Sequence, residues 1–437
     1  MRKTYLILAV LCLSIAALSL SLPELLWEAR LPETAEDANL QEIASGQIGS
    51  NSYVVYEISA HEWMGMEWKN HILILTPREV TNDTILLFIT ADYRFRERDL
   101  IPFTMAANAN SARVAVLFDI PNQPLFGGLR EDWLISYTFK QFLESGDAEW
   151  PALLPMVRST VVAMNVIEDV MANEGRNVEG FIVSGGSKRG WTTWLSAAAD
   201  ERVLGIIPVS YDTLNLKDQM EHQLFAWGDY SRSIREYVET GVLNSLEGER
   251  EDVLFRMVDP YTYRESIKVP KLIVVGTNDP YWPADAAGLY YHGLIGEKGL
   301  VYAPNAGHDA DISRVLFSIR AMFVVLEEGV GFPTISADYQ LNENSAKHSF
   351  SLHLEEDNWK LSEIRIYTAH SDSRDMRQAR WNSQALRSAI DVITMDQTDR
   401  FTAVYFEAVF TLGDARLLLS TPIRVLEPGT IQVRSQQ

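Results

Sequence analysis

A serine, an aspartate and a histidine stand in that order along the chain, each close behind an apolar run. Ser187 lies in Phe-Ile-Val-Ser-Gly-Gly-Ser-Lys-Arg-Gly-Trp-Thr-Thr-Trp (181–194), Asp279 closes Lys-Leu-Ile-Val-Val-Gly-Thr-Asn-Asp (271–279), and His308 closes Val-Tyr-Ala-Pro-Asn-Ala-Gly-His (301–308). These types suit acyl transfer. A serine hydroxyl is a weak nucleophile at neutral pH and needs an imidazole to take its proton; a carboxylate then fixes the imidazole tautomer and stabilises its protonated form. The serine's setting reads as a strand-to-helix elbow, with Gly185 and Gly190 leaving room where the chain folds back. It departs from the G-x-S-x-G pattern, because Arg189 holds the second place after the serine and the small residue falls one place later. Taken singly, each residue has an ordinary reading: a serine-glycine turn, a turn begun by Asp279-Pro280, a helix entered through His308-Asp309. Their joint order carries the chemistry. Asp212, closing Ile-Pro-Val-Ser-Tyr-Asp (207–212), is the main rival for the acid; Asp285 is a weaker one that reads as a helix start.

Eight short apolar runs read as buried strands: 53–58, 71–75, 84–90, 113–120, 178–183, 203–209, 271–276 and 300–303. Helix-length amphipathic stretches at 131–144, 151–173, 188–199 and 309–328 alternate with the later strands, the pattern of a mostly parallel sheet covered on both faces. Ser187 then follows the fifth strand, Asp279 the seventh and His308 the eighth, all at the carboxyl edge where such sheets gather their sites. Serine, acid and histidine in this chain order match the α/β-hydrolase plan. The expected fold is therefore α/β, an eight-stranded α/β-hydrolase sheet over 23–330 with a cap insertion at about 213–269, helical at 218–227 and 231–243. Residues 328–333 read as a linker. Beyond it, alternating segments at 349–354, 361–368, 403–412 and 416–420 predict an antiparallel β-sandwich over 334–437.

The site needs an oxyanion hole. Its expected donors are the backbone N–H of Lys188 and an N–H from the loop after the third strand, at Ala91 or Asp92. Lys188 and Arg189 occupy the first turn of a helix, where each cation costs about 0.3–1 kcal/mol, so something anionic must face them. An internal carboxylate is favoured over a substrate carboxylate or a developing oxyanion. Asn122 and Gln123, in Pro-Asn-Gln-Pro (121–124), are candidate cleft residues, with a rigid proline-set turn as the alternative. His222 and Trp227 are candidate pocket walls from the cap, with packing of the cap on the core the commoner use of such side chains. No His, Asp and Glu stand clustered at ligand spacing, so neither metal nor cofactor is expected.

The segments 184–194, Ile-Pro-Asn-Gln-Pro-Leu (120–125), Trp-Pro-Ala-Leu-Leu-Pro-Met (150–156), Val-Gly-Thr-Asn-Asp-Pro (275–280) and Ala-Pro-Asn-Ala-Gly-His (303–308) resemble the PhoPQ-activated pathogenicity-related proteins, a family that also contains the autocrine proliferation repressor proteins of social amoebae. The resemblance runs from about Ala44 through Leu-Leu-Leu-Ser-Thr-Pro-Ile (417–423) and implies an exported α/β-hydrolase-like protein with a C-terminal β domain. It leaves the substrate open. The glucuronoyl esterases are a more distant comparison, with a similar Gly-x-Ser-Arg-x-Gly elbow whose cation assists the oxyanion. Lys188 holds that place here, which keeps an ester of an acidic sugar among the candidate substrates.

Bulk properties fit an exported enzyme. The 437 residues, 47% of them hydrophobic, suffice for one large domain and a smaller one. Residues 1–22 begin with Arg2 and Lys3 and continue as an apolar stretch, as in a secretory signal, with an uncleaved membrane anchor as the alternative. Export to the periplasm or extracellular space follows, with membrane attachment expected only through this segment. The single cysteine, Cys12, lies inside it, so the rest of the chain holds no disulfide, cysteine nucleophile or thiolate metal site. A net charge of −21 disfavours nucleic acid and anionic surfaces as partners. The expected partner is a small-molecule, glycan-ester or peptide substrate; nothing in the sequence sets the oligomeric state. Two functions of different class fit: a serine hydrolase working through Ser187, and a binding or signalling protein that keeps the scaffold without turnover.

Overall fold

The computed structural model describes residues 31–429 except 245, 343–345 and 388–391. The expected export segment lies outside these residues. None of the described helices is long and apolar enough to cross a membrane. In chain order the first elements are β1 (Gln41–Ile48), β2 (Asn51–Trp63), β3 (Met66–Thr76), β4 (Asn82–Ile89), α1 (Ile101–Asn110), β5 (Ala112–Leu117), α2 (Glu131–Ser145), α3 (Leu153–Asn173), β6 (Gly180–Gly186) and α4 (Lys188–Ala199). Then follow β7 (Val203–Val209), α5 (Leu216–Trp227), α6 (Arg235–Glu239), α7 (Glu249–Val258), β8 (Lys271–Gly276), β9 (Lys298–Ala303) and α8 (Ile312–Glu328). The last are β10 (Thr334–Asn342), β11 (Lys347–Glu355), β12 (Lys360–Ser371), β13 (Asn382–Ala385), β14 (Val392–Asp396), β15 (Phe401–Leu412), β16 (Ala415–Ser420) and β17 (Arg424–Leu426).

The chain divides into two compact units. The first takes the described residues up to Ile206 together with Arg232–Val269, the second Ile207–Ser231 and everything from Pro270 onward. Unit 1 carries the strand order β1-β2-β3-β5-β4-β6-β7. Its first three strands and β5 are antiparallel neighbours, and β4 runs parallel to both β5 and β6. Every residue of β5 is buried, and in β6 all but the last, as expected of strands covered on both faces. Each of the eight runs read from sequence falls within or overlaps a strand. The sheet has one strand more, β1, whose sequence Gln-Glu-Ile-Ala-Ser-Gly-Gln-Ile has no buried residue and so no apolar signature. Helix α1 gave no signal either, because it mixes Asn and Thr with apolar residues and leaves Ile101 and Met105 exposed.

Unit 2 carries the end of β7 from Ile207 and the parallel strands β8 and β9, followed by α8 and the C-terminal sheets. Those sheets are β10-β11-β14 and β13-β12-β15-β16, with β17 added alongside β15. Phe350 of one meets Phe406 of the other edge to face at 5.4 Å, and Tyr367 stacks on Tyr405 at 4.8 Å. Tyr302 of β9 lies 5.1 Å from Tyr405, and Arg314 of α8 bonds the buried Glu407 of β15 at 2.5 Å. A Cβ on Gly299 of β9 would stand 2.5 Å from Leu419 of β16, so the strands approach closely there.

The expected cap segment is divided between the units. Helix α5 packs in unit 2, where Gln219 donates to the Leu214 and Ala286 carbonyls and Gln223 to that of Tyr281. The part from Arg232 packs in unit 1, where Tyr237 reaches Asp132 at 3.2 Å and Arg250 donates to the Leu143 and Glu144 carbonyls at the end of α2. The helix expected over 231–243 is shorter: a 3₁₀ turn at Arg232–Ile234 leads into α6, which ends before Gly241 at φ +84°. The last helix starts later than 309, at Ile312, because Asp311 caps it by accepting from the Ser313 N–H.

Candidate active site

In unit 1, β6 ends at Gly186 and α4 begins at Lys188, so Ser187 alone makes the turn. Its backbone is at φ +58° and ψ −126°, a region that side chains other than glycine's rarely adopt. Gly185 is required by packing: a Cβ there would stand 2.8 Å from the Arg189 carbonyl oxygen. A sharp elbow thus lifts a serine to the head of a helix, the local geometry read from the sequence.

The two cations after the serine have an internal counter-charge. Arg189 donates through both terminal nitrogens to the Glu131 carboxylate at 2.8 Å each and through Nε to the Ile120 carbonyl. Lys188 Nζ lies 2.9 Å from Glu131 and 3.3 Å from Asp132. Burial pushes the Glu131 carboxyl up, but the Arg189 bonds and the charges of Arg189 and Lys188 hold it well below the usual carboxylate range. Glu131 itself is clasped by Gln123, which accepts from its N–H at 2.7 Å and donates to its carboxylate at 2.6 Å. Gln123 also donates to Asp92, whose other oxygen takes Arg130 at 2.8 Å. Of the residues expected to touch substrate or oxyanion here, Gln123 and the Asp92 side chain are engaged in this network, and Asn122 donates to the Lys69 carbonyl. The Ala91 carbonyl accepts from the Asp119 N–H at 2.9 Å.

In unit 2, Asp279 follows β8 and His308 follows β9, and the structure brings them together. Asp279 Oδ2 lies 2.7 Å from His308 Nδ1, and Oδ1 accepts from the Tyr281 N–H at 2.8 Å. The Tyr281 ring stacks on the imidazole at 4.1 Å. Gly276 makes this approach feasible, since a Cβ there would stand 2.1 Å from the Gly307 carbonyl oxygen. A carboxylate only accepts, so the ring proton sits on Nδ1 and Nε2 is the basic nitrogen.

The rival acids are committed elsewhere. Burial pushes the Asp212 carboxyl up to about 8, against the opposing bond from the Tyr290 hydroxyl at 2.5 Å and reinforced by the charges of Asp279 and Asp285. Asp285 pairs with His222 at 2.7 Å and with Arg374 at 3.0 Å, so His222 has a carboxylate partner of its own. Trp227 lies under the Arg377 guanidinium at 4.0 Å. The sequence did not single out Glu131 beside the elbow of unit 1 or Tyr281 beside the Asp279–His308 pair of unit 2. Glu131 opens a helix, where an acidic residue is ordinary, and only its contact with Arg189, 58 positions away, reveals its role.

The sequence profile of the PhoPQ-activated pathogenicity-related proteins matches residues 31–377. Autocrine proliferation repressor protein A of Dictyostelium discoideum is 29% identical over 350 residues, which cover 75% of this chain and 70% of that protein. Among solved structures, acetyl xylan esterase 1 from Thermoanaerobacterium sp. superposes with a TM-score of 0.50 at 17% identity, over 68% of this chain and 90% of that one. Acetyl xylan esterase from Paenibacillus sp. R4 gives 0.50 at 16%, with the same shares covered. These two likenesses are of fold, and the fold is that of the α/β-hydrolases. Since the matching profile takes in both the elbow and the Asp279–His308 pair, the chain belongs to the PhoPQ-activated pathogenicity-related protein family.

Proposed function

We propose that this chain is an exported serine hydrolase that cleaves an ester or amide through an acyl-enzyme on Ser187. The observation that carries the reading is the Asp279–His308 pair, held at 2.7 Å with the basic nitrogen left on Nε2. In this mechanism His308 takes the Ser187 proton as Oγ attacks the carbonyl carbon, then hands it to the leaving alcohol or amine. Water enters, gives a proton to His308 and attacks the acyl carbon; the acid departs and the proton returns to Oγ. Asp279 keeps the imidazole oriented and stabilises its charged form. The backbone N–H groups of Lys188 and of Ala91 or Asp92 are the proposed oxyanion donors. Small-molecule esters, glycan esters and peptides are the substrate classes in view. The ion pairs of Lys188 with Glu131 and Asp132 withdraw the main reason for favouring an acidic substrate. The charged start and apolar stretch of residues 1–22 support export.

Fluorophosphonate labelling tests the reading. The wild-type protein should take up the label and Ser187→Ala should not; a folded wild-type protein that stays unlabelled would count against it. That outcome would favour the second reading, a signalling or binding protein on a hydrolase scaffold, which the name of the Dictyostelium relative supports.

A further inference from the structure

Asn278 and Asn305 stand beside the two residues of the dyad, one next to Asp279 and the other three positions before His308. Both reach the same stretch of the C-terminal region. Asn278 Nδ2 faces the carbonyls of Met376, Arg377 and Ala379 at 3.3, 3.2 and 2.7 Å. Asn305 forms a two-point clamp on Trp381, donating to its carbonyl at 3.0 Å and accepting from its N–H at 2.8 Å. The two asparagines are also joined to each other, since the Asn305 N–H donates to Thr277 Oγ1 at 2.8 Å and that hydroxyl donates to Asn278 Oδ1 at 2.9 Å. Met376 and Trp381 are buried, so the gripped segment is anchored at both ends. The same segment holds α5: Arg374 bonds Asp285 and lies over Phe225 at 4.8 Å, and Arg377 lies over Trp227.

From this geometry we infer that Asn278 and Asn305 are positioning residues, and that residues 376–381 of the C-terminal region are the brace that sets the Asp279–His308 geometry. The inference rests on the proposed hydrolase reading for its consequence, and on the structure alone for the contacts. The Thr277 and Asn278 N–H groups tie the acid loop to the Ala303 and Ala306 carbonyls at 3.0 and 2.9 Å, which joins the two loops to each other, and the C-terminal segment adds a second anchor; a displacement of about 1 Å in such a pair costs roughly 100-fold. Five hydrogen bonds reach one segment whose two ends are buried, four of them to the carbonyls of Met376, Arg377, Ala379 and Trp381 and one from the Trp381 N–H, and the Thr277 hydroxyl joins the two asparagines that make them.

The test uses Asn278→Ala and Asn305→Gly in the full chain; glycine is chosen because Asn305 sits at φ +61°, where alanine would add strain of its own. Asn382→Ala, an exposed neighbour of the same segment, is the control. Two readouts are taken. With p-nitrophenyl acetate, kcat should fall about 10- to 100-fold in each variant while KM stays within about twofold. In proton NMR the low-field resonance of the His308 Nδ1–H, identified by its loss in Asp279→Asn, should shift or broaden in both variants and stay put in the control. Variants that melt earlier yet keep kcat and the resonance unchanged would overturn the inference, leaving these bonds as ordinary stabilising contacts. If the wild-type protein hydrolyses nothing and takes no fluorophosphonate, the hydrolase reading fails by itself, and the resonance still decides the positioning role. Should Asn278→Ala lose its cooperative melt, Asn278→Ser and Asn305→Gly carry the same two readings.

Discussion

Asp279 divides its two carboxylate oxygens between His308, whose Nδ1 it meets at 2.7 Å, and the backbone N–H of Tyr281 at 2.8 Å. One bond fixes the carboxylate, the other fixes the imidazole. Asp279→Asn keeps the shape but presents an amide that can donate to Nδ1 and so favours the wrong tautomer. Turnover should drop by roughly four orders of magnitude, as loss of the orienting carboxylate does elsewhere. Steady-state kinetics on any ester the wild type cleaves will check this, with a loss below tenfold counting against Asp279 as the acid.

Ser187 is held in a backbone conformation that suits glycine. Ser187→Gly should therefore be more stable than Ser187→Ala by about 1 kcal/mol or more, with both variants unlabelled by fluorophosphonate. Denaturant melts of the pair measure the difference; equal midpoints would mean that the elbow stores no strain.

Asp212 offers a stability signature that distinguishes it from a catalytic acid. Its folded-state pKa is raised from 3.8 to about 8, so the folded protein holds this proton more tightly than the unfolded chain does. The contribution is fully favourable below 3.8, is lost as pH climbs from there to about 8, and stays lost above. Asp212→Asn, which still accepts from Tyr290, should therefore raise the melting temperature at about pH 9 and leave it nearly unchanged at about pH 4, with a difference on the order of a few kcal/mol. Activity should survive. A variant less stable than wild type at alkaline pH would mean that the Asp212 carboxylate is charged and needed.

Glu131 faces two buried cations while keeping some contact with solvent itself. Glu131→Gln should cost about 2 kcal/mol, since the Arg189 and Lys188 charges lose their shared partner and Asp132 relieves only Lys188. Lys188→Met, which removes one cation and leaves Arg189 paired, should cost less. On matched acidic and neutral esters, Lys188→Met should lower kcat/KM equally; a selective loss on the acidic ester would return Lys188 to the substrate side.

Much of the hydrolase sheet was legible because buried parallel strands announce themselves as unbroken aliphatic runs, as in Ala112–Leu117 and Lys271–Gly276. The ends of those runs were equally readable, and with them the positions of Ser187, Asp279 and His308. What could not be read depends on partners without sequence identity. Asn278 grips carbonyl oxygens some hundred residues away, and every residue type supplies a carbonyl. The Glu131 counter-charge is hidden likewise, by separation along the chain and by its ordinary place at a helix start. In β1 the apolar residues Ile43, Ala44 and Ile48 do not alternate with polar ones, so the sequence lacks the pattern that marks an edge strand.

The clamp of Asn305 on Trp381 also sets an order of events during biosynthesis. Asp279 and His308 are made long before residues 376–381, and β9 waits longer still for Leu419 of β16 to cover Gly299. A ribosome-bound or half-translocated chain therefore carries the acid and the base without the segment that seats them. On the proposed reading such a chain holds its acid and base unbraced, and full turnover waits on residues 376–381.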